Sequence, residues 1–168
     1  MQDKIIEEFL YESNLIEDVK DEDSFEKAKL AWKFLASKEK LTHSVIKKTH
    51  SILMKNQRLE EKYKGSYRDI PVFIGSNKVT YLNIDKNLDK WLDDMNVSNP
   101  STLERAGKNN LENFSKKLHI EYEKIHPFVD GNGRTGRMFM NWFRLKIGLP
   151  IIIIRHGEEQ IAYYKWFK

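Results

Sequence analysis

Residues 126–137 read HPFVDGNGRTGR, and several side chains in that stretch could do chemistry together. His126 titrates near neutral pH and can take a proton from a reacting group. Asp130 offers a hard oxygen, suited to Mg2+ held jointly with substrate phosphates. Gly131 and Gly133 flank Asn132, so the backbone can turn tightly and present N–H groups to a ligand. Arg134 and Arg137 stand three apart on one helix face, and guanidinium groups pair with phosphate oxygens in bidentate fashion. A helix that opens here would add its unpartnered first N–H groups and the positive end of its dipole, which together bind anions. Two arginines at such a start repel the dipole, which itself points to a bound anion.

Other motifs compete less well. Gly131, Gly133 and Gly136 spell G-x-G-x-x-G, but a dinucleotide fingerprint requires a preceding strand in a βαβ unit. Here a helix ending in His-Pro precedes it, and no P-loop is present. His119 reads as a hydrogen-bonded packing histidine and His156 as a surface residue. His43 and His50 are seven apart, and no carboxylate pattern completes a metal site with them.

Helical periodicity must supply the elements that hold this stretch in place. Ile5, Phe9 and Ile16, with Ile6 and Leu10, predict an amphipathic N-terminal helix. Asp23 and Glu26 resemble a capping box that opens a helix carrying Ala28, Trp32 and Leu35. Thr42 caps a third helix with Val45, Ile46, Thr49 and Leu53 inward. Residues 69–82, DIPVFIGSNKVTYL, hold two β-prone runs about Gly75, Ser76 and Asn77 and predict a hairpin. Leu88, Trp91, Leu92 and Met95 form a helix that Asn99 and Pro100 break. Leu111, Phe114, Leu118, Tyr122 and Ile125 form another, which ends near His126 because Pro127 follows. From about Arg134 a helix carries Met138, Trp142 and Leu145 on one stripe, stopped by Gly148 and Pro150. The closing run YYKWFK reads as helix cut short, as in a piece of a longer protein.

The composition suits one domain over residues 1–168, with four Trp, seven Tyr and nine Phe available for a core. The net charge is +4, with 25 acids scattered among 29 bases. A nucleic-acid binder concentrates its bases in a stripe, so none is expected as partner. There is no cysteine, which excludes disulfides and thiolate metal sites. The first residues are too charged for a signal peptide and no apolar run could span a membrane. A cytoplasmic protein is expected.

The segment resembles the Fic motif, H-P-F-x-(D/E)-G-N-G-R-x-x-R, at every defined position. GSYR at 65–68 before the hairpin, LHIEYEKI before His126 and LPIIIIR after Gly148 are also similar to that family. The resemblance implies a compact all-α domain with a small β-hairpin flap. It implies a transferase that moves AMP from ATP, with Mg2+, onto a Ser, Thr or Tyr hydroxyl of a target protein. His126 would be the base and Phe128 the anchor beneath the loop. Asp130 would hold Mg2+. Gly131, Asn132 and Gly133 would form the anion hole. Arg134 would meet the β-phosphate and Arg137 the γ-phosphate. Hairpin residues Val72, Phe73, Ile74, Val79, Thr80 and Tyr81 would clamp the target by strand addition. Tyr163 and Tyr164 resemble the adenine-side aromatics.

SNLIED at 13–18 is similar to the family's inhibitory motif, (S/T)-x-x-x-E-(G/N), in an N-terminal region (1–20) of the same chain. Ser13 and Glu17 lie one helical turn apart, and Glu17 would pair with Arg137. Asp18 departs from the expected Gly or Asn. Three other activities stay open on these residues: removal of AMP from a modified protein, phosphoryl transfer as in the related Doc branch, and nucleotide sensing without turnover. Doc motifs replace the second glycine, and Gly133 is intact here.

Overall fold

A computed structural model of the chain describes residues 2–96 and 107–168. Its elements run α1 (Gln2–Ile16), α2 (Glu22–Ala36), α3 (His43–Leu53), β1 (Val72–Ile74), β2 (Asn77–Val79), α4 (Ile84–Met95), α5 (Lys108–Ile125), α6 (Asn132–Lys146) and α7 (Glu158–Tyr164). Short 3-10 turns cover Glu61–Tyr63 and Lys165–Phe167. The architecture is the helical one expected, with a single antiparallel hairpin among the described residues. Asn99 and Pro100, expected to break α4, lie outside the described residues.

The helix starts follow local side-chain chemistry. Thr42 caps α3 as expected, accepting from the Val45 N–H at 3.2 Å. The cap of α2 lies two residues before the expected Asp23. Asp21 takes the cap because its carboxylate reaches both the N–H and the hydroxyl of Ser24, at 2.8 and 2.7 Å. Asp23 instead pairs with Lys27 one turn on. In α1, Phe9, Leu10 and Ile16 are buried, but Ile5 is 40% exposed, so the apolar face begins later than its pattern suggests.

The long α5 packs lengthwise on α6, and α4 packs on α5. Around them lies the main core, which includes Leu35, Ile46, Leu88, Trp91, Tyr122, Phe128, Phe139 and Phe143. α6 is the central helix. From Asn132 to Arg144 every residue except Gly133 is buried, so the single stripe expected of it is too narrow. Apolar residues on all sides mark a helix surrounded by others. It begins at Asn132, two residues before the expected start, and stops at Gly148, whose φ of 78° suits glycine. There the Leu149 N–H reaches the Arg144 carbonyl and the Gly148 N–H the Leu145 carbonyl.

Strands β1 and β2 pair Val72 with Val79, Phe73 with Lys78 and Ile74 with Asn77, about a Gly75–Ser76 turn. The ladder ends at Val79, so Thr80 and Tyr81 follow the strand rather than belong to it. A second small cluster of Ile16, Met140, Ile154 and Tyr163 ties the end of α1 to α6 and the tail.

Candidate active site

The stretch 126–137 joins α5 to α6, and internal bonds fix it. α5 ends at His126, which adopts the left-handed region (φ 49°, ψ 62°) while its N–H still reaches the Tyr122 carbonyl. Pro127 prevents continuation. The Asn132 side chain closes the loop: Oδ1 accepts from the Phe128 N–H and Nδ2 donates to the Phe128 carbonyl, both at 2.9 Å. That side chain is therefore taken up by the loop, and Asn132 can offer an anion only its backbone N–H. Gly131 sits at φ 77°, where a Cβ would also strike the Met54 sulfur.

Phe128 is fully buried and stacks on His50 with ring centroids 3.7 Å apart. His50 Nδ1 accepts the Gly65 N–H at 2.9 Å, so Nε2 must carry the hydrogen it donates to the Asp130 carbonyl, also at 2.9 Å. Burial holds its pKa down at about 4, so it is neutral. His50 therefore sets the height of the loop.

His126 Nδ1 lies 3.2 Å from the Glu123 carbonyl, which can only accept. Nδ1 thus carries the hydrogen and leaves the Nε2 lone pair free. Burial chiefly, and the Arg68 charge in addition, hold His126 below the ordinary imidazole value, while the Glu123 carbonyl, Glu17 and Asp130 oppose them. Glu123 itself is mostly buried beside the imidazole, its Oε2 3.8 Å from Nδ1. Burial pushes its pKa up to about 8, and its Oε1 has no partner.

The two arginines differ sharply. Arg137 is 2% exposed and fully engaged. Its Nε donates to the Ser13 hydroxyl at 2.9 Å, and its Nη2 to the Ser13 carbonyl at 2.9 Å and to Glu17 at 2.8 Å. Its Nη1 donates to the Tyr163 hydroxyl at 3.3 Å. Arg134 is equally buried, yet its Nη2 finds only the Met54 sulfur and Gln57, and its Nε and Nη1 have no partner. A buried, unpartnered guanidinium costs several kcal/mol unless an anion meets it.

Ser13 and Glu17 thus come together on Arg137 with the geometry their spacing implies. Glu17 is the C-cap residue of a Schellman stop, in which the Val19 N–H reaches the Asn14 carbonyl and the Asp18 N–H the Leu15 carbonyl. Asp18 holds the left-handed position at φ 56°. That conformation explains why Gly or Asn is expected there and why Asp, which also tolerates it, can replace them.

A cleft of about 630 Å³ opens over these groups, lined by His126, Gly133, Arg137, Glu17 and Glu123, with Phe73, Ile74 and Val79 on the hairpin side. Tyr163, Tyr164 and Phe167 form its far wall. Asp130 and Arg134 belong to the same loop but do not line the cleft. The Tyr163 hydroxyl accepts from Arg137 and lies within hydrogen-bond distance of His119 Nε2, 2.8 Å away. His119 is the packing histidine expected, and His156 is exposed. Tyr163 thus holds Arg137 in place, a contact no sequence pattern signalled.

Among the described residues no group of three or more His, Asp or Glu could hold a metal alone. Asp130 is exposed, with one carboxylate oxygen on the Gly131 N–H at 2.6 Å. It suits a Mg2+ that takes its other ligands from phosphates and water. No helix among the described residues is long and apolar enough to cross a membrane.

Comparison with known proteins agrees with this fold. The Fic/DOC family model covers residues 40–144. A Drosophila melanogaster protein named Protein adenylyltransferase Fic is 35% identical over 83 residues, 49% of this chain and 15% of that protein. Its Nematostella vectensis namesake is 30% identical over 103 residues, 61% of this chain and 22% of that protein. The chain thus matches less than a quarter of the length of these curated relatives. Two solved structures share the fold. Fic-1 from C. elegans superposes with a TM-score of 0.79 at 20% identity, covering 98% of this chain and 55% of that one. A Fic domain containing signaling protein from Bacteroides thetaiotaomicron gives 0.74 at 20% identity, covering 97% and 70%. The family model spans α3, the hairpin and the whole loop from His126 to Arg137, and on that match the chain belongs to the Fic/DOC family.

Proposed function

We propose that this chain is a protein adenylyltransferase, transferring AMP from ATP to a Ser, Thr or Tyr hydroxyl of another protein, and that Glu17 holds it inactive. One observation carries the reading. The same cleft holds a neutral imidazole and, beside the N-terminal turn of α6, an arginine already paired with an anionic group. The Glu17 carboxylate on Arg137 supports the reading that this guanidinium receives an anion.

The steps follow from the residues. His126 Nε2 takes the proton of the target hydroxyl. The freed oxygen attacks the α-phosphorus of ATP, the bond to the bridging oxygen breaks, and pyrophosphate leaves. Arg134 meets the β-phosphate, which supplies the partner its guanidinium lacks. Arg137 meets the γ-phosphate once Glu17 withdraws. The N–H groups of Gly131, Asn132 and Gly133 receive the remaining phosphate oxygens. Asp130 would hold Mg2+ together with the phosphates, where such an ion would supply charge neutralisation. The hairpin edge presents main-chain groups to an extended target segment. Tyr163 and Tyr164 bound the side where the base would lie. Residues 1–168 act as one domain, in the cytoplasm.

Gly133 favours adenylyl over phosphoryl transfer. A side chain there would run into the Glu17 carboxylate and come within 3.1 Å of Arg137 Nη1, closing the space a triphosphate needs. The test uses ATP labelled at the α-phosphate, Mg2+ and a total cell extract, with wild type beside Glu17→Gly. Label on protein, increased about 5- to 150-fold in the variant, is the expected result, the range typical of a coupling of this kind. Equal rates would refute inhibition by Glu17. Label arriving only from the γ-position would make the protein a kinase, and loss of AMP from pre-modified protein a hydrolase.

A further inference from the structure

Arg68 lies between β1 and the end of α5, and it is 3% exposed. Its Nε donates to the His126 carbonyl at 2.7 Å. Its Nη1 donates to the carbonyls of Ile70 and Val79, at 2.8 and 3.2 Å. Its Nη2 donates to Thr80 at 2.8 Å and reaches Ile125 at 3.5 Å. Its own backbone N–H donates to the Pro127 carbonyl at 2.9 Å. A buried cation usually sits against a carboxylate. Here all five acceptors are backbone carbonyls. Those of Ile125 and His126 close α5, where carbonyls lack helical partners and the dipole is negative. Those of Ile70, Val79 and Thr80 flank the hairpin on both sides. One planar fork with five N–H donors thus fastens the hairpin to the residue that carries the base. A lysine ammonium could carry the charge but could not span these acceptors.

We propose that Arg68 is a positioning residue that sets the height of the β1–β2 hairpin over His126, and so the approach of the target hydroxyl to the base. Its kinetic consequences rest on the adenylyl-transfer reading, whereas the mechanical coupling does not. A second consequence is electrostatic. The charged and titratable groups that face His126 are Arg68 from the segment before the hairpin, Glu123 from α5, Glu17 beyond α1 and Asp130 from the loop. Arg68 disfavours the imidazolium, while Glu17 and Asp130 favour it. With Glu17 removed, the Arg68 charge meets less opposition and keeps the imidazole free to accept a proton.

The experiment compares Arg68→Lys and Arg68→Met in a Glu17→Gly parent. Hydrogen exchange of the amides from Val72 to Val79 reads the coupling without turnover. Exchange about tenfold faster in both variants, with α5 and α6 unchanged, is expected for a local opening of the hairpin. Unchanged hairpin exchange in either folded variant overturns the proposal. Turnover is then read with α-labelled ATP, Mg2+ and extract protein, counting label on protein against AMP released to water. Transfer to protein should fall about tenfold and release to water about threefold or less, because only the former needs the hairpin placed. Equal loss in both products would also overturn it. The acidic limb of the rate profile should move to higher pH in Arg68→Met and stay in place in Arg68→Lys, which keeps the charge. If the parent labels nothing and releases no AMP, the adenylyl-transfer reading falls, and the exchange result alone decides the coupling. If Arg68→Met does not fold, Arg68→Lys supplies both the exchange and the product ratio.

Discussion

Two walls of one cleft are built on opposite principles. The loop from His126 to Arg137 is largely buried and bound by side chains: Asn132 closes it, His50 and Phe128 support it, and Thr135 anchors its helix through the Tyr122 hydroxyl at 2.9 Å. The hairpin opposite has three residues per strand and a 68% exposed Phe73, and it is fastened through backbone carbonyls. A wall of fixed side chains suits a partner whose shape never varies, such as a triphosphate. A wall of main-chain edges suits a partner whose sequence can vary, because backbone pairing is indifferent to side chains. The contrast separates a constant chemical demand from a variable recognition demand.

Substitutions on the two sides should break different properties. The largest effect is expected from His126→Ala in the Glu17→Gly background, a loss of transfer of about 10²- to 10⁴-fold, typical of a general base. Labelling that survived this change would remove His126 from the chemistry. Phe128→Ala attacks the support beneath the same wall. Denaturant unfolding should register a loss of about 3–5 kcal/mol, as for other buried Phe residues, and a loss below about 1 kcal/mol would mean the loop stands without its anchor.

Glu123 gives the fixed wall a pH signature. Its native pKa of about 8 stands above the ordinary 4.5, so between those values the folded protein binds more protons than the unfolded chain. Stability from this group therefore falls as pH rises through that window. His50 and His119 act in the other direction. Burial holds them at about 4 and about 3, so they cost stability as pH drops below 6.5. Together the three groups place maximal stability near pH 6.5. Thermal melting should decline from there toward pH 8 in the wild type and stay flat in Glu123→Gln. The same decline in both proteins would assign the slope elsewhere. The smallest effect belongs to the exposed wall. Phe73→Ser should leave stability within about 0.5 kcal/mol while raising the apparent KM for extract protein a few-fold, at unchanged KM for ATP. A change in both constants would mean the hairpin is not a separate recognition element.

The legible part of the molecule was the part whose chemistry is local. Thr42 announces α3 because a hydroxyl three residues before an N–H is a complete cap. His126 followed by Pro127 announces the end of α5. Gly131 marks the turn, since a φ of 77° needs it. The misplacements have local causes too: Asp21 outcompeted Asp23 as cap because Ser24 offered it two donors. What could not be read depended on long-range meetings. His50 supports Asp130 from eighty residues away. Arg68 finds its acceptors only after the hairpin and α5 converge. Tyr163 turned its hydroxyl onto Arg137, a direction that periodicity does not encode.

The helix stop at Asp18 has a mechanical corollary. Glu17 stands one residue past the end of α1, in the turn where the chain already reverses. Its side chain can therefore swing aside by torsion at one or two joints, with the fifteen residues of the helix undisturbed. On the proposed inhibition, the threshold for that movement would depend on how readily residue 18 tolerates its left-handed turn. On the same reading, glycine there would stiffen the catch by removing strain, and a β-branched side chain would spring it, so position 18 would tune how tightly Glu17 holds Arg137.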